Sequence, residues 1–168
     1  MRKFRLLIIT GLPGTGKTTL TRELAKRDSL PFIGKDTIKE PLLDLLGAQT
    51  TSRELSNMAF AVMFSIARER LALGESLILE GNFRAGEHEA PILAALPATP
   101  PTIVQVLCTA DEQERRSRLL ARATDPQRHP GHRDGEQLEP VAACDSFLEL
   151  PGERLHYRVG LPLCEKFS

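Results

Sequence analysis

Residues 11–18 read Gly-Leu-Pro-Gly-Thr-Gly-Lys-Thr, and this stretch constrains the fold of the chain more than any other. It follows the apolar run 6–9 and leads into a segment, from Leu20 onward, whose apolar residues have helical spacing. The order is therefore strand, glycine-rich loop and helix, and the eight residues match the pattern G-x-x-x-x-G-K-[ST]. Glycines let backbone N–H groups approach an anion closely, and the start of the helix adds partial positive charge. The pattern predicts a phosphate-binding loop (P-loop).

Each part of the predicted P-loop has its own chemistry. Lys17 supplies a full positive charge for the β- and γ-phosphates of a nucleotide, and the Thr18 hydroxyl is positioned to ligate Mg²⁺. A dinucleotide-binding loop is the nearest alternative, but its G-x-G-x-x-G pattern is absent; an ordinary glycine turn before a helix is the other. The predicted nucleotide-binding residues are Gly11, Pro13, Gly14, Thr15, Gly16, Lys17, Thr18 and Thr19.

Composition restricts the class of protein. The 168 residues are 41% hydrophobic and 26% charged, as expected for one soluble globular domain with a substantial core. Lys and Arg total 22, as do Asp and Glu, and a net charge of zero makes long nucleic acid an unlikely partner. Three widely spaced cysteines form no evident disulfide framework, and no apolar run has the length of a signal peptide or a membrane span. We therefore expect a cytoplasmic protein.

Strands and helices alternate along the chain. This alternation predicts an α/β fold with one parallel sheet and no division into further domains. Strands are predicted at 6–9, 30–33, 76–80, 102–108 and 154–159, and helices at 17–28, 37–46, 51–73, 87–96, 111–123 and, more weakly, 136–144.

Capping residues predict where three helices begin. Thr37 with Glu40 three residues later resembles a capping box, and Thr51 or Ser52 begins the longest helix. Asp111 is the predicted cap of the helix at 111–123, with Glu114 completing a box-like start. Helical spacing predicts that the buried face of the longest helix consists of Leu55, Met58, Ala59, Val62 and Ile66.

Two carboxylates follow predicted strands. Ligands of parallel sheets bind at the carboxyl ends of the strands, so we expect Lys17, Asp36 and Glu80 to share one crevice. Asp36 is the predicted catalytic residue that orients or deprotonates an attacking hydroxyl, although it would also serve as a helix cap. Glu80 is a predicted Mg²⁺-associated residue or a second candidate base. Asn82 and Arg84, in the turn after Glu80, are weaker candidates for substrate contact.

The helix at 111–123 is rich in arginine and precedes a loop rich in Gly, Pro and His. Arg115, Arg118 and Arg122 share one helical face, and we predict a lid at about 111–135. Arg118 and Arg122 are its predicted catalytic residues, because arginines over the phosphates stabilise a phosphoryl group during transfer. Weaker candidates for the lid are Arg128 and Arg133; His129 and His132, with Cys144 at most, are a poor ligand set for zinc.

In these motifs the chain resembles the small P-loop kinases related to polynucleotide 5′-hydroxyl kinases, chloramphenicol phosphotransferases and zeta-toxin-like kinases, and above all their bacterial AAA-domain relatives. The motifs span residues 1–135; residues 160–168 lack the further helix that relatives have. The resemblance implies a three-layer α/β/α fold with strand order 2-3-1-4-5, ATP·Mg²⁺ as phosphoryl donor, Asp36 as the residue activating the acceptor, and a lid holding Arg118 and Arg122 over the phosphates. The matching segments are 11–18, 35–39, 79–83, 118–122 and 128–132.

These observations predict an ATP-dependent phosphotransferase acting on a hydroxyl of a small-molecule or nucleotide-like acceptor. Two alternatives remain from the sequence: an NTPase switch driven by hydrolysis, and a nucleotide-binding regulatory module without catalysis. Fold and P-loop do not specify the acceptor, and the choice between Asp36 and Glu80 as base stays open, as does the oligomeric state.

Overall fold

Five parallel strands form the central sheet of the structure, a computed structural model that describes residues 4–127, 129 and 145–159. The strands are β1 (Arg5–Gly11), β2 (Phe32–Gly34), β3 (Leu77–Glu80), β4 (Thr102–Thr109) and β5 (Glu153–Arg158). The helices are α1 (Lys17–Asp28), α2 (Lys35–Leu46), α3 (Ser52–Ala72), α4 (Glu89–Ala94) and α5 (Glu112–Ala123), with a 3₁₀ turn at Gly47–Gln49. The strand order is β2-β3-β1-β4-β5, which confirms the predicted fold class and topology.

The register of the sheet aligns the ends of its central strands. Glu80, the last residue of β3, lies opposite Ile9 of β1 and Gly34 of β2. Gly11 at the end of β1 lies opposite Cys108 of β4. The residues that follow these strands therefore emerge at one edge of the sheet, where a ligand site is expected.

Buried apolar side chains lie on both faces of the sheet. On one face, Leu6 and Ile8 pack with α3, and on the other, Leu7 and Ile9 pack with Leu20 of α1. This alternation places consecutive residues of β1 in two separate cores, so the sheet is the middle layer of three.

The start of α3 is as predicted, but its buried face is not. The Thr51 side chain accepts from the Glu54 N–H while the Glu54 carboxylate accepts from the Thr51 N–H, which completes a capping box. Leu55 and Ala59 are buried, whereas Met58, Val62 and Ile66 are exposed. Rings from α3 pack against Phe83 after β3, and this contact rotates the buried face toward Phe60, Met63, Phe64, Ala67 and Leu71.

The predicted capping box at Thr37 and Glu40 is wrong. Helix α2 begins at Lys35, directly after β2, and Gly34 is its N-cap without any side-chain cap hydrogen bond. No loop separates strand from helix, so Thr37 already lies inside the first turn. At α5 the Asp111 side chain accepts from the Gln113 N–H, as the predicted cap should.

The segment before β5 is held by a buried glutamine of β4. The Gln105 Oε1 accepts from the Leu148 N–H at 3.0 Å, and its Nε2 donates to the Leu150 carbonyl at 3.4 Å. These bonds connect residues 145–152 to the sheet and lead the chain into β5. The helix predicted at 136–144 and the C-terminal residues 160–168 lie outside the described residues. None of the described helices is both long and apolar enough to traverse a lipid bilayer.

We expect Thr51→Ala to lower the free energy of unfolding by about 1 kcal/mol, because the substitution leaves the Glu54 N–H at the start of α3 without its acceptor. Chemical denaturation measures this difference. The control is Ser65→Ala on the exposed face of the same helix, which keeps all cap hydrogen bonds. Equal stabilities of Thr51→Ala and the parent protein would contradict the role of the cap.

Candidate functional site

The loop between β1 and α1 leaves no room for side chains at its glycines. A Cβ on Gly11 would lie 2.3 Å from the Cys108 carbonyl oxygen, and one on Gly16 would lie 2.9 Å from Val159 Cγ2. Gly16 also has a φ of +82°, in the left-handed region that favours glycine. Strand β4 and the residue after β5 therefore fix the loop from two sides.

Within the loop, one carbonyl oxygen organises the turn. The Leu12 oxygen accepts from the Thr15 hydroxyl at 2.8 Å, from the Thr15 N–H at 3.4 Å and from Lys17 Nζ at 2.8 Å. Burial lowers the pKa of Lys17, and the nearby Glu80 carboxylate opposes this shift. Thr18 and Thr19 are exposed on the first turn of α1, where their hydroxyls are accessible to a ligand.

Glu80 is a buried carboxylate at the end of β3. The residue is 8% exposed, and among the described residues none donates a hydrogen bond to its carboxylate. Burial raises the pKa of Glu80, with a further increase from Asp36, while the positive charge of Lys17 lowers it. An enclosed carboxylate of this kind is suited to a cation.

Asp36 lies in the first turn of α2 and is paired with its neighbour Lys35. Lys35 Nζ is 3.0 Å from Asp36 Oδ1 and donates to Asn82 Oδ1 at 3.0 Å. The Lys35 residue is 9% exposed, whereas the side chain of Asp36 is 44% exposed. The enclosed ammonium therefore holds a carboxylate that a substrate is able to reach.

The structure brings Lys17, Asp36 and Glu80 together, as their positions after β1, β2 and β3 predict. Each of these charges perturbs the pKa of another member of the group, and Lys35 contributes to the same field. Sequence reasoning assigned no role to Lys35. Its signals were its place in the matching segment 35–39 and its position between the end of a strand and the predicted catalytic carboxylate.

Of the four arginines of α5, Arg115 is buried, Arg118 and Arg122 are half-buried, and Arg116 is exposed. Arg115 is 1% exposed; its guanidinium binds both oxygens of Glu112, at 2.8 and 2.9 Å, and donates to the Pro13 carbonyl at 3.4 Å. Arg118 is half-buried, binds Glu114 at 2.6 Å, and its Nη1 lies 3.7 Å from the Cβ position at Gly16.

Arg122 follows one turn after Arg118 and is half-buried. Helix α5 thus packs against the P-loop, with Arg118 beside it. The Glu114 carboxylate, which was predicted to complete the cap of α5, instead pairs with Arg118 across one helical turn.

Most of the loop predicted as part of the lid lies outside the described residues, including Arg128, His132 and Arg133, and Cys144 also lies outside them. His129 is described, and its Nε2 is 3.0 Å from Asp44 Oδ1 on α2. In the described part of the chain, no three or more His, Cys, Asp or Glu side chains form a group that would hold a metal ion.

Comparisons with known proteins agree with the fold. A family model described as an AAA domain matches residues 6–143. A protein from Chloroflexus aurantiacus, to which kinase activity is ascribed, has a crystal structure that superposes with a TM-score of 0.80. It is 33% identical, and the match covers 92% of this chain and 88% of that chain. These findings confirm the predicted resemblance to small P-loop kinases.

Two further matches are more distant. A sugar kinase from Janibacter sp. HTCC2649 shares the fold, with a TM-score of 0.59 and 17% identity over 92% of this chain and 84% of that chain. A protein of Mycobacterium tuberculosis strain H37Rv, described as uncharacterized, is 29% identical over 130 residues. That match covers 71% of this chain and 26% of the relative, so the chain spans about a quarter of the relative's length.

We expect Gly16→Ala to abolish nucleotide binding, because the added methyl group would collide with Val159 and shift the loop. The control is Gly74→Ala, at a φ of +74° with no atom within 4 Å of its Cβ position. Both substitutions carry a similar backbone strain, about 1 to 2 kcal/mol, but only the first reaches the P-loop. Calorimetric titration with ADP and Mg²⁺ distinguishes them, and equal affinities would contradict the packing argument.

We expect Glu80→Gln to stabilise the metal-free, nucleotide-free protein near neutral pH. Because the pKa of Glu80 is raised, the folded protein binds this proton more tightly than the unfolded chain. Stability from this group is therefore present at low pH and is lost as pH rises through the raised pKa. The melting temperature of the variant should exceed that of the parent near pH 8, and the difference should shrink toward about pH 4.

The matched control for this titration is Glu69→Gln, on the exposed surface of α3. Thermal melts with a chelator present are recorded for all three proteins across the pH range. A melting-temperature difference between Glu80→Gln and the parent that stays constant with pH would contradict the raised pKa.

Proposed function

The chain belongs to the family of AAA domains matched over residues 6–143, and from this premise we propose that it is an ATP-dependent kinase. It transfers the γ-phosphoryl group of ATP to a hydroxyl of a small-molecule or nucleotide-like acceptor. The observation that carries the proposal is the accessible Asp36 carboxylate, held by Lys35 at the same sheet edge as the P-loop. A protein that only binds a nucleotide does not need a carboxylate positioned in this way.

The residues of the loop fit ATP and Mg²⁺. Lys17 Nζ, 2.8 Å from the Leu12 carbonyl oxygen, is the charge that would bind the β- and γ-phosphates. The Thr18 hydroxyl and the buried Glu80 carboxylate would hold Mg²⁺, directly or through water. ATP supplies the phosphoryl group when bound, and Mg²⁺ supplies positive charge over the phosphates.

Asp36 acts on the acceptor. Its carboxylate accepts the proton of the acceptor hydroxyl as the hydroxyl oxygen forms its bond to the γ-phosphorus. The bond from that phosphorus to the bridging oxygen breaks, and ADP leaves with the electron pair. The ion pair with Lys35 fixes the orientation of Asp36 for this step.

Arg118 and Arg122 stabilise the charge of the phosphoryl group during transfer. Arg118 already lies beside Gly16 of the P-loop, and Arg122 follows on the next turn of α5. Positive charge that is in place before the reaction costs no reorganisation when the transition state forms.

We expect Asp36→Asn to lower phosphoryl transfer by about a hundredfold or more, because an amide does not accept the hydroxyl proton. The affinity for ATP should change little in this variant, whereas Lys17→Ala should lose both binding and transfer. The assay follows label from γ-labelled ATP onto pools of acceptors sorted by chemical class, and ATP binding is measured separately. The control is Asp28→Asn, at a surface ion pair with Arg27.

The same assay separates the proposal from its alternatives. Label on one acceptor pool, lost in Asp36→Asn, supports the kinase. Phosphate released to water regardless of the pool supports an NTPase switch, and ATP binding without turnover supports a regulatory module. Transfer by Asp36→Asn at the parent rate would overturn the role of Asp36.

A further inference from the structure

A small polar pocket lies between the first turns of α3 and the segment that follows β3. Its lining includes Arg53 of α3 together with Asn82, Arg84, Glu87 and His88. We call it the Arg53–Arg84 pocket. Two guanidinium groups and one carboxylate line it, so its charged groups carry an excess of positive charge.

This pocket adjoins the proposed catalytic carboxylate. Asn82 lines the pocket, and its Oδ1 accepts from Lys35 Nζ at 3.0 Å. The same nitrogen is 3.0 Å from Asp36 Oδ1. Asp36 and the wall of the pocket are therefore within two hydrogen-bond lengths of each other. One small molecule is able to present a hydroxyl to Asp36 and another group to the pocket.

Arg53 occupies a position that the helix itself disfavours. It is the second residue of α3, where the partial positive charge of the helix N-terminus repels a cation. Among the described residues, none forms an ion pair with Arg53. An exposed guanidinium at this end of a helix is stabilised when an anion binds between it and the helix start.

Arg84 is oriented by a buried, neutral histidine. The Nδ1 of His88 accepts from the Arg84 N–H at 2.8 Å, so Nε2 carries the ring proton as a donor. Burial lowers the pKa of His88, and its ring packs 4.2 Å from that of Phe60. Among the described residues, the Arg84 guanidinium is paired with Glu87 alone, at a long distance of 3.5 Å. The backbone of Arg84 is thus fixed while its guanidinium has capacity to bind a stronger anion.

Two lysines of α2 add to the positive field. Lys39 is half-buried, donates to Ser52 Oγ at 2.9 Å, and has its pKa lowered by burial and by Lys35. The two ammonium groups therefore lie close enough to repel each other. Asp36, paired with Lys35, offsets part of this repulsion, and an anionic ligand nearby offsets more of it, whereas a neutral ligand does not.

We propose that the Arg53–Arg84 pocket binds an anionic group of the phosphoryl acceptor, a carboxylate or a phosphate monoester. The acceptor is then a small hydroxylated acid or a phosphorylated alcohol, and its neutral counterpart binds more weakly because it offers no anion to the two guanidinium groups. This inference rests on the proposed kinase activity for the identity of the ligand as acceptor. Binding measured without catalysis tests the anion site beside Asp36 independently of that activity.

The first experiment measures transfer of the label from γ-labelled ATP onto matched pairs of compounds, each with one anionic and one neutral member. The pairs are gluconate with sorbitol, glucose 6-phosphate with glucose, and adenosine 3′-monophosphate with adenosine. We expect label on an anionic member and not on its neutral partner, and the productive pair distinguishes a carboxylate from a phosphate. Arg53→Gln and Arg84→Gln should each raise the KM for the acceptor about tenfold or more while the KM for ATP stays unchanged.

Arg68→Gln is the matched control, because Arg68 is an exposed arginine on the same helix, remote in sequence from the pocket. It should leave both KM values as in the parent protein. Thermal melts check that the variants at positions 53 and 84 are folded. Equal transfer onto the neutral and anionic members of a pair would overturn the anion site while supporting the kinase.

The second experiment measures binding without catalysis. The P-loop is first saturated with a non-hydrolysable ATP analogue and Mg²⁺, and the six compounds are then titrated calorimetrically. Binding of an anionic compound that weakens about tenfold in Arg53→Gln and Arg84→Gln, but not in Arg68→Gln, supports the anion site. If such binding occurs and no compound is phosphorylated, the proposed kinase function fails and the anion site stands. If no anionic compound binds, the anion site is overturned.

Discussion

Two opposite charges, the Lys17 ammonium and the Glu80 carboxylate, are enclosed at the carboxyl edge of the sheet, and the surrounding structure depends on holding them there. Removing either charge from water is unfavourable, as the lowered pKa of Lys17 and the raised pKa of Glu80 show. Each charge partly compensates the other. The apolar cores on both faces of the sheet offset the unfavourable free energy of enclosing these charges. The enclosed ammonium is thereby positioned for an anion, and the enclosed carboxylate for a cation.

The P-loop is supported from outside by a helix far away in sequence. A Cβ at Gly14 would lie 3.1 Å from Arg115 Cγ and 3.3 Å from Leu119 Cγ, so α5 lies directly against the loop. Arg115 remains buried because Glu112 satisfies its guanidinium and the Pro13 carbonyl accepts from it. Arg118, the predicted catalytic arginine, therefore extends from a helix that is packed onto the nucleotide site.

Sequence reasoning succeeded where local chemistry decides the structure. The strand, glycine loop and helix at the start of the chain, and the start of α3 at Thr51 or Ser52, were predictable because each rests on residues close in sequence. The strand order was predicted from the resemblance to small P-loop kinases, and the structure confirms it. Sequence reasoning failed for the buried face of α3. Met58 and Phe60 are both apolar, and the rings of Phe83 and His88, which pack on Phe60 from outside α3, determine which of the two is buried.

The sequence by itself determined the P-loop, the parallel α/β sheet and the placement of Lys17, Asp36 and Glu80 at one edge. The physical reason is that the carboxyl ends of parallel strands lie at the same edge of the sheet. Only the tertiary structure decided which neighbours these groups have. Lys35 became the partner of Asp36 and Asn82 because α2 starts without a loop after β2, and that junction brings its ammonium between the two. The Arg53–Arg84 pocket forms in the same way, because α3 packs against the segment that follows β3. No local sequence pattern indicates this contact between elements.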